Sequence, residues 1–156
     1  DSAILVGIPS DSSRNIRTDT PETNAEIGFV NEFGEPSKNI PARPFLMPGV
    51  QDAMPKNEKI MLNGAKKALS LHDNPVIAID NALNLVGLNS QNAVQNYMVN
   101  GDFAPLSPRT IAGRAERRTY ITDQQRADWE ALGVADDQPL IDTGSLKAAI
   151  TYVVES

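Results

Sequence analysis

The stretch NPVIAIDNALNLVGLNSQNAVQNYMVNG, residues 74–101, decides the fold. Val76, Ile79, Leu83 and Val86 recur at spacings of three and four, and Ala93, Val94, Tyr97 and Met98 continue the row. That is the period of a helix that buries one side. Asn81, Asn84, Asn92, Asn96 and Asn100 lie on the other side, polar without charge, and Gly101 closes the helix at a position that favours glycine. Solvent is the first reading of those amides. A contact with a neighbouring subunit is the second, because amides bond across an interface without the desolvation cost of charges.

Upstream of His72-Asp73-Asn74-Pro75, Pro48 suits the first turn of a second long helix. It runs to about residue 71 with a kink at Pro55, and its apolar face carries Ile60, Leu62, Ala65, Ala68 and Leu69. Near one end of the chain, Ala3-Ile4-Leu5-Val6-Gly7-Ile8, stopped by Pro9, reads as a buried strand. Near the other, Ile150-Thr151-Tyr152-Val153-Val154 reads as its counterpart. The expected fold is α+β: one domain spanning 1–156, with a small, mainly antiparallel sheet packed against two long helices.

Composition agrees with a single folded domain. A chain of 156 residues with 40% apolar and 22% charged residues can bury a core and is not disordered by composition. Only 5% of it is aromatic, so aliphatic side chains must supply the packing. Fourteen Lys and Arg against 20 Asp and Glu give a formal charge of -6, the wrong sign for gripping phosphates. Without cysteine there is no disulfide, no thiolate metal site and no cysteine nucleophile, which fits a reducing compartment. No apolar run approaches the ~18 residues of a membrane span, so a soluble chain is expected. Residue 1 is Asp, not Met, which implies a processed terminus or part of a longer product.

The linking segments have their own chemistry. Residues 10–23 are polar with almost no apolar anchor and read as a mobile loop able to order on a partner. Asn24 is positioned to cap a short helix with Ile27, Val30 and Phe33 inward, and Gly34 falls where a left-handed residue is wanted. Ile40-Pro41-Ala42-Arg43-Pro44-Phe45-Leu46 is a stiff, extended arm. After Pro105-Leu106-Ser107-Pro108 comes a basic patch of Arg109, Arg114, Arg117 and Arg118, and then an acidic stretch with Asp123, Asp128, Glu130, Asp136 and Asp137. Such runs are usually a solvated surface, but opposite patches also suit head-to-tail pairing of copies.

Catalytic readings are weaker. Leu140-Ile141-Asp142-Thr143-Gly144-Ser145 has the local form in which an aspartic protease presents its carboxylate. That chemistry needs two aspartates sharing a proton, hence a homodimer built around Asp142, and barrel strands that the few residues after Ser145 cannot supply. The simpler reading has Asp142 or Thr143 capping a short helix over 144–149. His72, the only histidine, lies beside Ser70 and Asp73, but adjacency in sequence does not make a triad. No Walker loop, dinucleotide fingerprint or metal-ligand cluster is present, so neither cofactor nor metal is expected.

Three pieces in order carry a family resemblance. They are Asn31-Glu32-Phe33-Gly34 with the arm at 40–46, then Phe103-Ala104-Pro105-Leu106 with Thr110-Ile111, then Pro139-Leu140-Ile141-Asp142-Thr143-Gly144-Ser145-Leu146. Together the chain resembles the tail-completion and virion-morphogenesis proteins of tailed bacteriophages, over about residues 24–154. The polar loop 10–23 and a charged insert near 120–137 depart from that pattern and read as phage-specific contacts. The resemblance implies a non-enzymatic subunit of a sixfold ring at the head-tail junction, assembled in the host cytoplasm and carried in the virion. Its partners would be its own copies and the neighbouring connector, terminator, tube or sheath proteins. Genomic DNA would pass through without specific binding, and no membrane is involved. Terminator, completion and collar roles all fit. A small cytosolic binding module is the other non-catalytic alternative.

Residues expected at subunit contacts are Phe33, Arg43, Pro44, Phe45, Leu46, Arg109, Arg114, Asp142 and Thr143. Among these, Phe45 would be an apolar anchor and Arg43 a charged fork, on an arm whose prolines reduce the entropy lost on docking. Packing of Phe45 within its own chain stands beside that reading as an equal.

Overall fold

The computed structural model describes residues 2–9, 16–17, 20–70, 74–131 and 137–155, the side chains of Gln125, Asp128 and Trp129 excepted. In chain order the elements are strand β1 (Ala3–Gly7), helix α1 (Asn24–Phe33), a 3-10 turn at Pro36–Lys38, and the long helices α2 (Leu46–Ala68) and α3 (Pro75–Asn100). Helices α4 (Pro108–Arg118), α5 (Asp123–Ala131) and α6 (Ser145–Ala149) follow, and strand β2 (Thr151–Glu155) ends the series. The architecture is α+β.

Helix α3 starts where Asn74 stops the chain in an extended conformation. Its side-chain oxygen accepts from the N–H groups of Val76 and Ile77, at 3.0 and 3.3 Å, and Pro75 presets the first turn. Helix α2 runs back along it, antiparallel, on a stripe of small residues rather than large ones. A Cβ on Gly49 would lie 2.6 Å from Val94 Cα, and one on Gly64 would lie 2.4 Å from Ala82 Cβ. The helices touch nearly backbone to backbone. Between those points Asn57 donates to Ser90 Oγ at 2.8 Å and accepts from Asn89 at 2.8 Å, so the buried amide is paired.

This seam corrects the expected face of α2. Its buried residues are Gly49, Ala53, Asn57 and Gly64, whereas Leu62 and Leu69 are exposed. Pro55 stands inside a continuous helix, and the described helix ends at Ala68, with Leu71 outside the described residues. On α3 the expected Leu83, Val86, Val94 and Met98 are buried, while Val76 is exposed. The amides of the opposite face are exposed on the single chain. Gly101 closes α3 in an extended rather than left-handed conformation. A side chain there would crowd the Phe103 ring at 2.7 Å, so space selects glycine.

β1 and β2 pair antiparallel, with Leu5 opposite Val153 and Val6 opposite Tyr152. The sheet leans on α3 so closely that a Cβ on Gly87 would collide with the Tyr152 ring. β1 was expected to be buried, yet Leu5 is 52% and Val153 47% exposed. With a helical layer on one side only, the other face of the two-stranded sheet stays open. The core gathers Phe45, Val94, Met98, Leu140, Ile141, Leu146 and Ile150, uniting the arm, α3 and the last fifth of the chain. No described helix is long and apolar enough to cross a membrane.

Candidate functional site: helix α1 and its two grooves

Helix α1 forms because Thr23 and Glu26 close a capping box. Glu26 N–H donates to Thr23 Oγ1 at 3.2 Å, and the Glu26 carboxylate accepts from the Thr23 N–H at 2.8 Å. The cap is therefore Thr23, one residue before the expected Asn24. Asn24 instead is buried, exchanging hydrogen bonds with the Ser145 hydroxyl at 3.1 and 3.3 Å and accepting from Arg17 at 3.0 Å. Gly34 ends the helix at φ 76°, and its N–H donates to Val30. A Cβ there would sit 2.8 Å from the Ala42 nitrogen, so both conformation and space require glycine.

The inward face of α1 is the expected one only in part: Ile27 packs against the core and Val30 is half-buried, but Phe33 is not inside. Asn24, Gly28 and Glu32 are buried, whereas Phe33 points outward at 65% exposure with Phe29 against it, ring centroids 4.8 Å apart. Glu32 does the work of a cap for another helix. Its carboxylate accepts from the N–H groups of Phe45, Leu46 and Met47 at 2.7, 2.9 and 3.2 Å, the donors left unpaired at the start of α2. A surface-type residue is thereby fixed in the interior by the helix it completes.

Two arginines lock the loops around this helix. Arg43 donates from Nε to the Ala104 carbonyl at 2.6 Å and from Nη2 to that of Pro105 at 2.8 Å. Arg114 donates to the carbonyls of Gln138, Pro139 and Ile141 at 2.6, 3.2 and 3.2 Å, with Asp142 Oδ1 3.7 Å from its Nε. Burial pulls both guanidinium groups below their ordinary pKa, an effect that Asp142 partly offsets at Arg114. Arg117 completes the corner with a 2.6 Å bond to Asp142 Oδ2.

α1 stands as a wall between two grooves. One, of about 660 Å³, runs between α1, residues 35–43 and the start of α4; Ile27, Val30, Ile40 and Leu106 line it, with Glu22, Glu26 and Glu35. All three carboxyls are held below the usual glutamate range, chiefly by the Thr20 hydroxyl, the Thr23 N–H and the Ser37 hydroxyl respectively. The other, of about 290 Å³, is apolar and lies between Phe29, Phe33, Phe45, Met47, Ile8 and Ile150.

These positions sort the residues expected at subunit contacts. Arg43, Phe45 and Arg114 are 6%, 2% and 7% exposed and satisfy their own chain, so the Arg43–Phe45 arm is not a free docking element. Its intramolecular reading is the one realised. Phe33, Pro44 and Arg109 are exposed, and Leu46 is half-buried. The basic patch is smaller than its sequence suggests, because Arg114 is buried and Arg117 is held by Asp142. Thr143 Oγ1 accepts from the Ser145 N–H at 3.3 Å at the entry to α6, with Gly144 at φ 78°, whereas Asp142 serves the arginines rather than the helix. The structure adds Phe29, Met47 and Glu32, which sequence periodicity did not single out.

Of the polar loop 10–23, residues 10–15, 18 and 19 lie outside the described residues, and Arg17 reaches Asn24 and Thr143. Of the charged insert 120–137, residues 132–136 lie outside them, Asp136 included, and α5 lies within it. His72 is outside them too. No group of three His, Cys, Asp or Glu able to hold a metal occurs among the described residues. Comparison with protein-family models, with curated proteins and with solved structures returns no match.

Proposed function

We propose that this protein is a non-enzymatic structural subunit of the neck or tail end of a tailed bacteriophage, part of a ring of identical copies that joins or completes the tail. Supporting the reading is the apolar surface on α1 and the start of α2, where Phe29, Phe33 and Met47 are 65%, 65% and 59% exposed beside the apolar groove. Large apolar side chains grouped on a surface suit a partner chain. Among the described residues, Asp142 is engaged by Arg117 and Arg114, and Glu32 by the start of α2. The net charge of -6 suits a lumen past which DNA slides.

The surface is tested by complementing a phage disrupted in this gene. Phe33→Glu, at an exposed position, should leave the fold intact and abolish rescue, whereas Asp142→Asn should still rescue. Rescue by Phe33→Glu removes the assembly role of this surface. Proteolytic activity lost with Asp142→Asn would replace the reading with the protease.

A further inference from the structure

The solvent face of α3 repeats. Ile77, Leu88 and Val99 stand eleven residues apart, Asn81 and Asn92 stand eleven apart, and Leu85 and Asn96 stand eleven apart. An eleven-residue repeat is 3.67 residues per turn, close enough to the helix's own period for the row to run nearly straight. From Ile77 to Val99 it spans about 33 Å at 1.5 Å per residue. The four apolar members are exposed, at 58% for Ile77, 54% for Leu85, 44% for Leu88 and 37% for Val99, and the three asparagines are exposed as well.

Charge sets this row apart from the solvent side of the helix beside it. The solvent side of α2 carries Asp52, Lys56, Glu58, Lys59, Lys66 and Lys67, whereas Asp80 is the only charged residue in all of α3 and lies off the row. A chain of net charge -6 repels its own copies, and the uncharged row is a face on which two of them can approach. A carboxamide both donates and accepts, so an asparagine pairs with its own equivalent, as a row of one charge cannot. Interfaces are depleted of charge in the same way.

We propose that the occupant of this face is the α3 of a second copy, parallel and in register. That arrangement sets apolar on apolar at 77, 85, 88 and 99 and amide on amide at 81, 92 and 96. Asparagine pairs inside a helix-helix seam enforce this register at some cost in stability. The contact is twofold, distinct from the head-to-tail contacts that close a ring, and does not rest on the neck assignment.

Light scattering on the purified chain, with disulfide trapping, tests it. The 16.9 kDa chain should give twice that mass or an even-numbered assembly, and Leu88→Arg should weaken the pairing by about 30-fold or more, as at a central contact residue, with unchanged circular dichroism. Because the chain has no cysteine, Leu85→Cys alone should yield a covalent dimer on mild oxidation, and Lys59→Cys should not. A monomeric wild type at about 100 times the concentration used for trapping, an assembly unaffected by Leu88→Arg, or equal trapping at residues 85 and 59 would each overturn the proposal.

Discussion

The hairpin of α2 and α3 and the base built on α1 are held by opposite means. In the hairpin, Gly49, Ala53, Gly64 and Ala82 remove side chains so that two helices close on each other. In the base, Glu32, Arg43 and Arg114 fill the space between segments with acidic and basic side chains that each satisfy several backbone atoms. The first is shape, sensitive to added volume. The second is polar satisfaction, sensitive to a lost partner.

Arg114→Ala should show the base at its most sensitive. It strands the carbonyls of Gln138, Pro139 and Ile141, and unfolding by urea should report a loss of about 3 to 4 kcal/mol. Arg114→Lys should recover little, since an ammonium cannot reproduce the fork. A loss below about 1 kcal/mol would remove the arginine lock from this account. In the hairpin, Gly49→Ala should cost about 2 kcal/mol even though alanine is the better helix former, because its methyl meets Val94 backbone at 2.6 Å. Gly113→Ala, facing open space on α4, should instead stabilise by about 0.5 to 1 kcal/mol. The same substitution with opposite signs isolates packing from propensity.

Much of the hairpin was legible in the sequence. The α3 row from Leu83 to Met98 announces itself by period, and the strand near each end by its run of apolar and branched residues. The inner face of α2 was not, because the row Ile60, Leu62, Leu69 looks like a core while Gly49 and Gly64 look like gaps. Hydrophobic patterning finds large buried residues and misses helices that pack by removing them. The base was hidden for a different reason. Glu32, Arg43 and Arg114 are residue types that belong on the surface, and their partners lie far along the chain, at Phe45, Ala104 and Gln138. Of the two readings open for each, Phe33 takes the exposed one, beside a carboxylate that holds the inside position, and Phe45 the buried one, carried into the core by the arm.

Smaller effects refine the contrast. Thr23→Ala removes the cap of α1 and should cost about 1 kcal/mol in thermal unfolding. Acid should act on the base rather than on the seam. Glu22, Glu26 and Glu35 have folded pKa values lowered from 4.5, so their contribution is present above that value and fades as pH falls through the lowered ones. Stability measured downward from pH 7 should begin to drop below about 4.5, and Glu26→Gln should flatten part of that drop. An unchanged acid limb in Glu26→Gln would place the sensitivity outside the capping box.

The role of the whole molecule is tested most directly by electron microscopy of lysates from the parent phage with this gene disrupted, counting joined particles, filled heads and full-length tails. Heads and tails are expected to accumulate unjoined, with rescue by the wild-type chain. Normal joined, infectious particles in its absence would contradict that role.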